Sequence, residues 1–134
     1  MSQLSAYLFF NGNCAEAMRF YESTLGGTLN LMKQGDSPVK ESASADKADL
    51  IMHARLVFDG GTLMASDWIA DYPYERPQGV SLSLTYPKGT DVKQVFDSLA
   101  EGGRVNMPLQ KTFWSEAFGM LVDRFGTPWM INVE

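Results

Sequence analysis

Two glycine pairs constrain this chain more than any other feature. LGGTLNLMKQ runs from Leu25 to Gln34, and EGGRVNMPLQK from Glu101 to Lys111, 76 positions further along a chain of 134 residues. In each, an Asn stands three residues after the second glycine and a Gln lies near the end. Paired glycines are suited to closing a helix and starting a strand, because glycine enters the left-handed region without steric cost. The punctuation recurs at about half the chain length, which predicts that a supersecondary unit recurs. The alternative is an ordinary α+β sandwich whose two helices both end in Gly-Gly.

The flanking patterns complete the unit. Ser2 to Phe10 reads as a strand, and Asn13 with Glu16 reads as a capping box for a helix. Cys14, Ala17, Met18, Tyr21 and Leu25 form its apolar stripe. Thr28 to Lys33 is a strand, and the small polar residues 34–49 are a surface loop. Leu50 to Phe58 alternates, with Leu50, Met52, Ala54, Leu56 and Phe58 on one face and Ile51, His53, Arg55 and Val57 on the other. Asp59-Gly60-Gly61 turns the chain into a strand from Thr62 to Trp68, and Ile69 to Gln78 is a linker.

The second half repeats this order. Val80 to Tyr86 is a strand, Thr90 or Asp91 caps a helix carrying Val92, Val95, Phe96 and Leu99, and Gly102-Gly103 stops it. Strands follow at Arg104–Lys111, Phe118–Asp123 and Trp129–Val133, the last two split by Phe125-Gly126-Thr127-Pro128. The expected architecture is α+β, two βαβββ modules of about 1–70 and about 78–134 within one domain.

Bulk properties limit the partners. A net charge of −5 argues against nucleic acid and anionic membranes. The N-terminal residues show neither a signal pattern nor a membrane span. The one cysteine, Cys14, permits no internal disulfide, so a cytoplasmic setting is expected.

Four stretches are familiar in order: FNGNCAEAMRFY at 10–21, HARLVFDGGTLMASD at 53–67, TFW at 112–114 and DRFGTPWMINV at 123–133. The chain resembles the PhnB-like proteins of the vicinal oxygen chelate superfamily, which also holds glyoxalase I, extradiol dioxygenases and bleomycin-resistance proteins. The resemblance implies paired modules whose sheets curl around a central cavity, usually in a homodimer. It also implies that metal-dependent members draw His or Glu ligands from the first and last strands of each module. Those positions here carry Tyr7 or Phe9, Met64 or Ser66, Ser81 or Ser83, and Met130 or Asn132. Such groups are poor ligands for a divalent cation. No metal and no other cofactor is expected.

His53 is the only histidine. It reads either as a base or substrate hydrogen-bonder near neutral pH, or as a structural histidine bonded to backbone or to a carboxylate such as Asp67. Asp67 reads as a lone functional carboxylate, or as a strand end closed by an Asx turn or paired with Arg or Lys. Cys14, at the start of a helix, is expected in the core rather than as a reactive thiol. Glu16, Glu22 and the charges from Lys33 to Lys47 read as solvated surface, and Trp129 as core under a helix. Trp114 and Phe118 flank a break at 115–117 that would form a lip. A cavity of apolar walls with a few polar groups then assigns a small-molecule ligand to Tyr7, Phe9, His53, Arg55, Met64, Ser66, Trp68, Ser81, Ser83, Trp114, Phe118, Met130 and Asn132. Two other readings stay open. One is a metal-dependent lyase, isomerase or dioxygenase built on His53 with carboxylates from a partner chain. The other is sequestration of a bleomycin-like antibiotic. Some similar sequences carry a demethylubiquinone methyltransferase label, but nothing here resembles a glycine-rich loop for the methyl donor.

Overall fold

A computed structural model describes residues 1–36 and 48–134. The part of the expected surface loop at 37–47, with its charges, lies outside the described residues. The chain divides into two compact units, Met1–Glu75 and Arg76–Glu134.

The first unit comprises β1 (Ala6–Phe10), α1 (Cys14–Leu25), β2 (Thr28–Lys33), β3 (Ile51–Phe58) and β4 (Gly61–Asp67). The second comprises β5 (Leu82–Tyr86), α2 (Lys93–Ala100), β6 (Arg104–Gln110), β7 (Ala117–Val122) and β8 (Pro128–Val133). Each is βαβββ. The sheet orders are β1-β4-β3-β2 and β5-β8-β7-β6, the same order counted within each unit. In both, the first strand pairs in parallel with the fourth and the remaining pairs are antiparallel. Neither sheet closes on itself.

The glycine pairs do the same work twice. Gly26 and Gly102 take φ of 80° and 74°, leaving the helical region as the chain turns toward the sheet. The second glycine of each pair passes against a neighbouring strand. A Cβ at Gly27 would lie 2.1 Å from the Val57 carbonyl oxygen, and one at Gly103 would lie 2.2 Å from that of Val122. Only a residue without a side chain lets β2 and β6 start so close to β3 and β7.

Each helix covers one face of its own sheet. Cys14, Ala17, Met18 and Tyr21 of α1 are fully buried and meet a floor of Leu8, Phe10, Ala54, Leu56, Leu63 and Ala65. In the second unit Phe96 and Leu99 of α2 are buried with Leu121, Trp129, Ile131 and Val133. Gly119 makes room there, since a Cβ would stand 2.6 Å from the Phe96 ring. Trp129 is core, as its alternation implied, and donates its indole N–H to Asp123 Oδ2 at 2.9 Å.

Several expectations need correcting. β1 starts at Ala6 rather than Ser2. Strict alternation through Leu50–Phe58 fails at its start. Met32 pairs with His53 while Lys33 pairs with Ile51, so Met52 is an extra residue at a bulge. Ile51 thereby joins Ala54 and Leu56 on the buried face. The Asn13 side chain makes no capping bond. Asp67 caps the helix instead, from the far end of β4: its Oδ1 accepts from Gly12 N (3.1 Å) and Cys14 N (2.9 Å), and its Oδ2 from Ile51 N (2.8 Å). This buried carboxylate is neither an Asx turn nor an Arg or Lys partner. Glu22 is half-buried rather than solvated, accepting from Leu29 N at 3.0 Å.

Candidate functional site

Register places the expected residues on definite faces. Tyr7 is opposite Met64 and Phe9 opposite Ser66 across β1–β4, and Arg55 is opposite Met64 across β3–β4. Cross-strand partners share a face, and His53 is two residues from Arg55 along the same strand. Tyr7, Phe9, His53, Arg55, Met64 and Ser66 therefore occupy the face of the first sheet that α1 does not cover. Trp68 joins them just past β4, where its ring meets Phe9 edge-on at 5.2 Å.

The face is an aromatic platform. Tyr7 and Phe9 rings lie 5.2 Å apart, and Tyr7 lies 5.8 Å from the His53 ring. Their exposures, 40% and 42%, show that the platform is not sealed as a core would be. Tyr7 Oη and His53 Nδ1 are hydrogen-bonded at 3.2 Å. With the phenol donating, the neutral imidazole carries its proton on Nε2, a donor that meets no acceptor among the described residues. The expected alternative, a carboxylate such as Asp67 holding His53, does not occur: Asp67 lies on the helix-covered face.

The segment after β4, a linker by its sequence, braces the platform. Trp68 Nε1 donates to the Tyr72 carbonyl at 2.7 Å, and Tyr74 Oη donates to the Phe9 carbonyl at 2.9 Å. The Trp68 ring packs at 4.9 Å from Tyr72 and 6.3 Å from Tyr74. Burial pushes the Tyr74 phenol above its ordinary value. The available signal was Tyr72-Pro73-Tyr74, an aromatic pair inside a proline-marked stretch.

In the second unit, Ser83 pairs with Met130, and Asn132 with both Thr85 and Phe118, on the face away from α2. Ser81 lies just before β5, two residues from Ser83. Asn132 Oδ1 is buried without a hydrogen-bond partner among the described residues. A buried acceptor of this kind costs about 1–3 kcal/mol unless a donor reaches it. Trp114 stacks edge-on to Phe118 at 5.5 Å and to Phe113 at 4.7 Å, with Phe113 97% exposed. Ser115 is buried, its Oγ 2.7 Å from both the Ala117 and Val133 carbonyl oxygens, with one proton to donate to either, so part of the expected lip is anchored.

Cys14 is fully buried, and its thiol is pushed up to about 12, first by burial and then by the Asp67 charge. It is no nucleophile.

Among the described residues no three His, Cys, Asp or Glu side chains gather as a metal site. The strand positions at which the fold family places a cation hold phenol, thioether, hydroxyl, amide and phenyl groups, a donor set that does not fit one.

Two helices on two open four-stranded sheets in this order define the fold of the glyoxalase/bleomycin resistance/dioxygenase superfamily. A superfamily member from Sphaerobacter thermophilus matches 100% of the chain at TM-score 0.61 and 18% identity, over 98% of its own length. A family model described as 3-demethylubiquinone-9 3-methyltransferase matches residues 2–132, and the chain belongs to this PhnB family. It is 36% identical to Protein YjdN of Escherichia coli over 97% of the chain and 94% of that protein. Among solved structures, protein PA1353 from Pseudomonas aeruginosa matches at 50% identity and TM-score 0.90, covering 100% of this chain and 98% of that one.

Proposed function

We propose that this protein binds a small organic ligand on the aromatic face of the first sheet, without a resident metal. The observation that carries the reading is the Tyr7–His53 pair set among half-exposed rings. Flat apolar surface supplies contact area, while the phenol, the imidazole and Ser66 supply orientation. The unpartnered Asn132 Oδ1 marks a second place where a ligand donor would be accepted, together with Ser83, Met130, Phe118 and Trp114 around it. The reading includes a homodimer, tested by sedimentation.

The family description names a methyl transfer, and we favour binding over it because the first strand–loop–helix turn, FNGNCAEAM at 10–18, is no glycine-rich loop for a methyl donor, and its N–H groups at 12 and 14 are taken by the Asp67 carboxylate.

A thermal-shift screen of metabolites and divalent metals against wild type, Tyr7→Phe and Phe9→Ala tests the proposal. Hits should lose affinity in both variants. Stoichiometric divalent metal that disappears in His53→Ala would instead establish the metal-dependent reading.

A further inference from the structure

The second unit holds a cavity of about 320 Å³. Its floor is one end of the sheet. Arg104 pairs with Val122 and Val122 with Pro128, and Ser81 immediately precedes Leu82, which pairs with Trp129. Arg104, Val122 and Pro128 form a row across β6, β7 and β8 that Ser81 continues just before β5, and residues 76–80 complete the lining. Asn106 stands at a β6 bulge and accepts from Arg104 Nε at 2.9 Å. That bond fixes the guanidinium while leaving both terminal nitrogens to donate elsewhere.

The charge of this cavity runs against that of the molecule. The chain carries 16 acidic against 11 basic residues. The lining nevertheless includes Arg76 and Arg104 and no Asp or Glu. Among the described residues neither arginine is in an ion pair. Two arginines line one concavity, and an anion placed between them is attracted to both. Ser81 and Gln78 add neutral donors. The volume falls in the range of small-molecule sites, about 300–1,000 Å³.

We propose that this cavity is an oxyanion site, taking the carboxylate or phosphoryl group of a small acidic molecule through Arg76 and Arg104. Guanidinium forks match the geometry of both groups. The lining shares no residue with the platform of the first unit, so either proposal can fail alone.

The test is an amide-resolved NMR titration of the whole protein with sodium phosphate and with sodium succinate, against chloride at constant ionic strength. Saturable shifts should centre on residues 78–81, Arg104, Asn106 and Gly126. Arg76→Gln and Arg104→Gln should each weaken binding roughly tenfold, the loss of about one charged contact. Lys88→Gln, outside the cavity, should change nothing. Saturation by phosphate alone assigns a phosphoryl group, by succinate alone a carboxylate, and by both the shared oxyanion chemistry. Shifts that stay linear, spread over all basic residues, or persist in both arginine variants would overturn the site.

Discussion

Asp67 and Asp123 are both buried carboxylates at strand ends, one in each module, and they are used differently. Asp67 accepts from residues 12, 14 and 51, tying the β1–α1 loop and the start of β3 to the end of β4. Asp123 accepts from Phe125 N, Thr127 N and Trp129 Nε1, all within six residues. The same backbone topology is thus held by a long-range clasp in one module and by a local turn in the other. The open faces diverge as well. The first carries the phenol, phenyl, indole and imidazole platform, and the second carries Phe118 with methionines, hydroxyls and an orphaned amide.

The glycine pairs are where the modules should behave most alike. Gly27→Ala meets the Val57 carbonyl and must also hold φ of 97°, and Gly103→Ala meets the Val122 carbonyl. We expect losses of about 3–5 kcal/mol in each, the larger at Gly27, because clash and left-handed strain add there. Urea denaturation checks this, and near-neutral values at either position would break the equivalence.

The carboxylates should then separate the modules. Asp67→Asn should cost about 3 kcal/mol and Asp123→Asn about 2 kcal/mol, since an amide turns donors toward backbone donors. Hydrogen exchange sharpens the contrast. Asp67→Asn should expose amides at 12, 14 and 51 together, whereas Asp123→Asn should expose only the 124–129 turn.

The order of elements was legible because helix and strand periods are local and the glycine punctuation is steric. Among the described residues both α-helices and all eight strands are legible, with ends displaced by a few residues, whereas the short 3-10 turn at Gln34–Asp36 is not. What the sequence hid was non-local. Nothing near Asn13 tells that a carboxylate 53 positions from Cys14 caps the helix, and alternation cannot reveal a bulge at Met52 that depends on the partner strand. For the candidate site, the family resemblance supplied Tyr7, Phe9, Met64 and Ser66, which pair across β1–β4 on one face. It missed Tyr72 and Tyr74, whose roles depend on an irregular segment folding back on the sheet.

Cys14 gives a smaller, pH-dependent effect confined to the first module. Burial pushes its thiol up to about 12 from 9.0, so the thiol favours the folded state fully below pH 9 and progressively less as pH rises toward 12. Wild type should therefore lose stability relative to Cys14→Ala across that window. Labelling by a thiol reagent near pH 8 should be slower than in urea by about a thousandfold, the change in thiolate fraction. Rapid native labelling would show that α1 opens on its own. Smallest of all, Tyr7→Phe should alter stability by no more than about 0.5 kcal/mol, because the lost bond is partly exposed. That near-neutrality makes it a clean probe of binding.

The most direct measurement is a two-dimensional NMR titration of wild type and Tyr7→Phe with the strongest hit from the metabolite screen. The account predicts saturable shifts centred on Tyr7, Phe9, His53, Ser66 and Trp68, with affinity reduced in the variant. Shifts confined to the outer surface of α1, or an affinity unchanged by Tyr7→Phe and Phe9→Ala alike, would contradict it.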